Sequence, residues 1–261
     1  CIEDPNGHLY AENAIVPVDL LGYPCDAKTI YEWAKSRNPP MVVIEDAAQA
    51  LGSMRNGKRV GKEYNDCATW SAQFTKSWTA GEGGMITTND PKIAEKCRSI
   101  RSHGSGYLNS PYLTFNFRMT ELHAAIGLAQ LRKYPKILAQ HRKNAEYLLD
   151  RLPDGLLRPS IPNGVFHNMY ILGCLALNRF DRGRFVLEMQ NKGISKGLPG
   201  SVISLGYTRP LYTKPLFAMY APAKPLPNAE RLSKDWIFMD THRFKSLEEV
   251  KREVEVMREF K

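Results

Sequence analysis

The chain has 261 residues, 43% hydrophobic and 24% charged, enough for one large or two modest globular domains. Its net charge of +9 is spread along the sequence with no zinc finger, RNA-binding signature or basic-aromatic platform, and no apolar run reaches membrane-spanning length, so neither nucleic acid nor membrane is an expected partner. The five cysteines, Cys1, Cys25, Cys67, Cys97 and Cys174, are scattered and never form C-x-x-C, which argues against a disulfide framework or zinc site and for a cytoplasmic location.

Residues 1–13 are polar and turn-like, and they lack the basic-then-apolar pattern of a secretory signal. Ala14 to Val18 predicts a strand, with Pro17 marking an edge or a bulge. Leu21-Gly22-Tyr23-Pro24 turns the chain. Asp26 is placed to cap a helix through Ser36, with Ile30, Trp33 and Ala34 on one face. Pro39-Pro40 ends it, and Met41-Val42-Val43-Ile44 predicts a buried central strand of a mostly parallel sheet. That strand runs into Glu45-Asp46-Ala47-Ala48-Gln49. Gly52, Gly57 and Gly61 predict a loop or hairpin before a second strand from Cys67 to Ser71.

Gly81-Glu82-Gly83-Gly84 leads into a strand through Thr88, and Asn89-Asp90-Pro91 opens a helix toward His103-Gly104. Residues 104–119 read as irregular. A helix from near Thr120 carries Leu122, Ile126 and Leu131; a second is predicted from about Pro135 to Leu152. Beyond Pro153, proline and glycine become frequent. Strands are predicted at Tyr170–Leu177 and Trp236–Met239, and helices at Phe180–Lys192 and from Asn228. Ser246-Leu247-Glu248-Glu249 is a capping box whose helix buries Leu247, Val250, Val254 and Met257.

The chemistry gathers between Met41 and Gly84. Ligands bind beyond the carboxyl ends of strands in open α/β sheets. Asp46 sits at such an end, and Lys76 follows the second strand. An acid there facing a lysine suits pyridoxal phosphate: the amine holds the cofactor covalently, and the carboxylate keeps the pyridine nitrogen protonated, so the ring can act as an electron sink. Asp46 has a competing role as a helix cap before Ala47-Ala48. For Lys76 the bland alternative is a solvated surface amine.

Glu45-Asp46-Ala47-Ala48-Gln49, Ser71 five residues before Lys76, and Gly81-Glu82-Gly83-Gly84 together resemble the DegT/DnrJ/StrS family of sugar aminotransferases. Further matches are Asn116-x-Arg118 before a helix with Gln130-Leu131, and Arg142, Asn144 and Ala145. One departure is Ala72, where the family usually carries an aromatic residue. The resemblance implies an α/β fold of the pyridoxal phosphate-dependent transferase type I. Residues 1–134 would form the large cofactor domain, and 135–261 a connecting helix and small domain. It implies Lys76 and Asp46 as catalytic groups, and Asp46, Gln49, Ser71, Lys76 and Asn116 around pyridoxal 5'-phosphate. Gln49 would meet the phenolic oxygen and Ser71 the phosphate. Asn116 would reach the phosphate bound by the other subunit of a homodimer. Arg118 would face an anionic substrate group or form a structural ion pair, while His103 and His123 are expected to be structural.

The implied reaction moves an amino group from glutamate to a keto sugar, nucleotide-linked, or a keto cyclitol. The family's phosphate-binding Gly-Thr helix start and stacking aromatic are not recognisable, so the chain is expected to represent roughly the C-terminal two thirds of a member. Three alternatives remain. A dehydratase of the same family would carry histidine in place of Lys76. A cysteine desulfurase would need a reactive loop cysteine. A regulatory or binding protein could use the same fold without catalysis.

Overall fold

The computed structural model describes residues 2–3, 9–10, 13–104, 114–177, 179–194, 203–239 and 245–260. Part of the irregular segment expected at 104–119 lies outside them. The chain divides into two units, residues 1–138 with 161–168, and residues 139–160 with 169–261.

The first unit opens with a two-strand ladder, β1 (Ile2–Glu3) with β2 (Leu9–Tyr10). Next come β3 (Ala14–Ile15), α1 (Ala27–Lys35) and β4 (Val42–Asp46). A short hairpin, β5 (Met54–Arg55) and β6 (Lys58–Arg59), precedes β7 (Cys67–Ser71) and β8 (Gly84–Thr87). The main sheet has the order β3-β4-β7-β8. β3, β4 and β7 are parallel, and β8 runs antiparallel to β7. Pro17 cuts the first predicted strand short, since it cannot donate to a ladder. Pairing resumes only as a bridge from Val18 to Asp46.

Asp26 caps α1 by accepting the Thr29 N–H. Ala34 lies in the core, but Trp33 is 46% exposed with the Arg37 guanidinium over its ring at 4.6 Å. The apolar face expected there is narrower than its residue types suggest, because an indole can satisfy itself against a cation in water. α2 (Pro91–Arg101) is capped by Asp90.

The two helices expected after Thr120 are one, α3 (Glu121–Leu149), with Pro135 inside it. An internal proline costs about 3 kcal/mol through its missing N–H and its clash with the preceding turn. Packing offsets that cost. Tyr134 is buried with Ala72, Trp78 and Ala80, and Ile137 and Leu138 pack against the same cluster. At roughly 1.5–3 kcal/mol for each large apolar side chain buried, this group outweighs one proline.

In the second unit α3 ends near β9 (Leu156–Leu157), while β10 (Val165–Phe166) returns to the first unit and pairs with β5. Then follow β11 (Leu172–Ala176), α4 (Arg182–Asn191), β12 (Ile203–Ser204), α5 (Pro227–Asp235), β13 (Trp236–Met239) and α6 (Leu247–Arg258). The sheet order is β12-β13-β11-β9, antiparallel throughout. Leu172, Cys174, Ile237 and Met239 of the sheet are buried, as are Phe185 and Met189 of α4 and Val250, Val254 and Met257 of α6. Ser246 and Glu249 form the capping box. Asn144 donates to the Lys245 carbonyl at 2.9 Å and accepts from Gln140 at 2.7 Å, tying α3 to the start of α6 within this unit. Among the described residues no helix is long and apolar enough to cross a membrane. Cys25, Cys67, Cys97 and Cys174 are free thiols.

Candidate active site

The carboxyl ends of β4 and β7 lie side by side in parallel, with Asp46 paired to Thr69 and Ser71 closing β7. This is the sheet edge at which such folds take ligands. Asp46 is fixed by its backbone. Its N–H donates to the Pro17 carbonyl at 2.8 Å, and its carbonyl accepts the Asp19 N–H at 3.0 Å. No helix begins behind it. The chain turns at Ala48–Gln49, and Asp46 Oδ1 accepts the Ala48 N–H at 3.1 Å. Its carboxylate therefore closes a turn and does not cap a helix.

Lys76 sits in the loop between β7 and β8. The Ala72 N–H donates to the Gly83 carbonyl at 2.8 Å, and the Ala72 carbonyl accepts the Ala80 N–H at 2.8 Å, closing the loop on itself. The Lys76 N–H donates to the Gln73 carbonyl at 2.9 Å. α3 holds the loop from below. The Trp78 indole N–H donates to the Gly127 carbonyl at 2.9 Å, and Tyr134 Oη lies 3.3 Å from Ser77 Oγ. The Tyr134 hydroxyl donates to the Leu51 carbonyl at 2.5 Å, joining this loop to the one after Asp46. Burial drives the Lys76 amine below its ordinary pKa, and the carboxylate of Asp46 pulls it partly back.

Two glycines of the Gly81–Gly84 run are required sterically. Gly83 has φ +128°, and a Cβ there would meet the Met119 side chain at 2.3 Å. A Cβ on Gly84 would lie 2.4 Å from the Trp70 carbonyl oxygen. Ala72, the departure from the family pattern, is fully buried in the cluster with Trp78, Ala80 and Tyr134, so a larger ring there would need a different core.

Gln49 Oε1 accepts the Leu21 N–H at 2.6 Å, which orients the amide and leaves Nε2 as its donor end. Ser71 Oγ accepts the Gln73 N–H at 3.3 Å. Asn116 is exposed; its Oδ1 accepts the Arg118 N–H at 3.1 Å, and it bridges Ser102. Arg118 donates to Ser102 Oγ at 2.8 Å. With Arg101 it lines an open cavity of about 450 Å³ beside Glu82 and Gly83. His123 Nδ1 lies 2.8 Å from Thr120 Oγ1 at the start of α3.

Some supporting residues carry little local sequence signal. Asn168 is fully buried and donates through Nδ2 to the carbonyls of Gln49, at 2.8 Å, and Leu51, at 3.0 Å. Its own N–H donates to Ser53 Oγ at 3.0 Å. It clamps the loop after Asp46 from more than a hundred residues away in sequence, and nothing local marks it. Glu45 gave more of a signal, because strand alternation turns it to the face opposite Asp46. It is 1% exposed, next to Asp19, which is 0% exposed.

A profile of the DegT/DnrJ/EryC1/StrS aminotransferase family matches residues 10–258. The chain is 43% identical over 154 residues to a GDP-perosamine synthase of Caulobacter vibrioides, covering 57% of this chain and 41% of that protein. It is 36% identical over 230 residues to a pleiotropic regulatory protein of Geobacillus stearothermophilus, covering 85% and 58%. The chain spans about half the length of the curated relatives it matches. Its fold superposes on a DegT DnrJ EryC1 StrS aminotransferase from Brucella abortus with a TM-score of 0.83 at 24% identity, covering 95% of this chain and 64% of that one. That is the type I fold expected from the sequence.

Proposed function

Because the chain belongs to the DegT/DnrJ/EryC1/StrS aminotransferase family, we propose that it serves a pyridoxal phosphate-dependent aminotransferase that passes an amino group from glutamate to a keto sugar. A nucleotide-linked sugar is the favoured acceptor. The relative named GDP-perosamine synthase supports it, and a net charge of +9 suits anionic substrates. A keto cyclitol is the other acceptor of the same chemistry. Free thiols at Cys25, Cys67, Cys97 and Cys174 suit a reducing cytoplasm.

The observation that carries this reading is Lys76 under the electrostatic influence of Asp46, with Asp46 at the end of β4 and Lys76 on the loop that leaves the adjacent end of β7. The donor set fits the cofactor. Asp46 offers a carboxylate to a protonated ring nitrogen, and Lys76 an amine to an aldehyde. Gln49 offers an amide N–H to a phenolic oxygen, and Ser71 a hydroxyl to a phosphate. The cofactor, when bound, supplies an electron sink that acidifies the substrate carbon bearing the amine.

The rest falls to the chain. Lys76 Nζ would hold the cofactor and, as a free amine, would move the substrate proton. Its lowered pKa makes the neutral amine accessible at lower pH than for a lysine in water, which a base requires. Asp46 would hold the ring proton in place through its carboxylate. The Trp78–Gly127 and Tyr134–Leu51 bonds hold both loops in register. Asn116, exposed just before α3, serves the phosphate site of a second subunit in a homodimer.

The visible absorption spectrum of the full-length protein with pyridoxal phosphate, before and after glutamate, tests the reading. A band that shifts on adding glutamate and returns with a keto sugar nucleotide is expected. A spectrum indifferent to glutamate would favour the regulatory alternative, for which the name of the Geobacillus stearothermophilus relative is the specific support.

A further inference from the structure

Behind the ring-facing acid lies a second acidic pair. One oxygen each of Asp19 and Glu45 and the Cys25 sulfur all lie within 4.8 Å of one another. Both carboxylates are buried. Glu45 Oε2 accepts the Gly61 N–H at 3.0 Å and the Asn65 side-chain amide at 2.7 Å. Asp19 Oδ1 accepts the Cys25 N–H at 2.8 Å. Asp19 Oδ2 is fully buried and accepts from no N–H or hydroxyl among the described residues. Of two adjacent buried carboxylates, one keeps its proton to a higher pH than a carboxylate in water. A proton between them would satisfy the orphaned oxygen and remove one charge.

We propose that Asp19 and Glu45 form a carboxyl–carboxylate pair sharing one proton, carried by Glu45, and that this pair is a positioning element for Asp46. The inference rests on the proposed role of Asp46 at the cofactor ring. The mechanical link is direct. Glu45 precedes Asp46 in β4, and the Asp19 N–H donates to the Asp46 carbonyl, so the side-chain bond and the backbone bond close the same junction. Burial and then the Asp19 charge raise Glu45 to a pKa of about 7; burial raises Asp19 as well, and its hydrogen bonds with Cys25 and Glu45 hold it down only in part. Asp19 Oδ2, the buried oxygen without a donor among the described residues, is the acceptor for that proton.

Other groups face the pair. Cys25 is kept as a thiol, first by burial and then by Asp19, while Arg55 acts in the opposite sense. Asp46 adds a further negative charge on Asp19. A cavity of about 130 Å³ beside Glu45 and Cys25 is bordered by Asp26, Lys28, Arg55, Lys58, Arg59 and Glu63. Lys58 is engaged by Glu63 and Tyr64.

The sign follows from the raised pKa. The folded chain keeps a proton that the unfolded chain loses, so stability falls as pH rises from about 4.5 toward about 7 and is flat above. Glu45→Gln imitates the protonated acid: its amide N–H₂ can donate to Asp19 and its oxygen can accept from Gly61 and Asn65. Denaturant unfolding of the full-length protein across this range should show Glu45→Gln gaining on the wild type by up to about tenfold in folding constant per pH unit. Pyridoxal phosphate affinity should weaken in the wild type as pH passes about 7 and stay level in Glu45→Gln. Parallel unfolding curves for the two proteins would overturn the shared proton. A pH-independent difference in cofactor affinity would overturn the positioning role. Stoichiometric zinc in the purified wild type, lost in Cys25→Ser, would overturn the proposal in favour of a cation site. The unfolding comparison needs no cofactor, so it decides the pair even where the functional reading fails.

Discussion

Asp46 acts on Lys76 through space: burial strips the lysine of proton affinity, and the carboxylate returns part of it. Asp46 ends β4 and Lys76 lies on the loop after the adjacent β7, and the proposed reaction centres on this pair. A lysine in this state is a better nucleophile near neutral pH than one in water.

The first prediction concerns where that amine titrates. In the full-length protein without cofactor, Lys76 should react with an amine-directed reagent with a midpoint below the ordinary lysine value of 10.5. Asp46→Asn removes the charge that favours the ammonium, so the midpoint should fall further. Peptide mass spectrometry across pH reads both. With pyridoxal phosphate present, borohydride should leave the pyridoxyl group on the Lys76 peptide. Label on Lys58, Lys62 or Lys92 would reject the assignment.

Asp46→Asn should also leave cofactor bound while slowing the glutamate half-reaction. Loss of a charged hydrogen bond is worth about 1.5–3 kcal/mol, so the rate should drop roughly tenfold to a hundredfold. Stopped-flow absorbance measures this. A near-normal rate would reduce Asp46 to the turn contact it makes with Ala48.

Tyr134→Phe removes the hydroxyl that links the Lys76 loop to the Leu51 carbonyl. Burial holds this phenol protonated, raising its pKa to about 12. Its loss should cost about 1–3 kcal/mol by leaving buried partners unsatisfied, read from denaturant unfolding. Cofactor affinity should fall with it, because both site loops share this anchor.

The proposed homodimer makes a sharper prediction. A Lys76→Ala subunit paired with an Asn116→Ala subunit contains one site with both defects and one with neither, if Asn116 serves the partner's phosphate. Each homodimer should be impaired, and co-refolded mixtures should regain activity toward one intact site per heterodimer. The competing role is already visible, since Asn116 Oδ1 accepts the Arg118 N–H in its own turn. If that is all it does, the mixture will average its parents.

Local chemistry made much of this chain readable. The caps at Asp26, Asp90 and Ser246 and the ends of β4 and β13 depend on residues a few positions apart, and the structure has them where the sequence put them. The family motif carried Asp46 and Lys76 together because each follows a recognisable strand. Tertiary structure decided the rest. Pro135 would stop an isolated helix, yet α3 runs through it because Tyr134, Ile137 and Leu138 have a core to bury against. Trp33 turned outward onto Arg37. Asn168 and the Asp19–Glu45 pair depend on partners dozens to more than a hundred residues distant. Their reason is the desolvation of polar groups, a cost that exists only once the chain has folded around them.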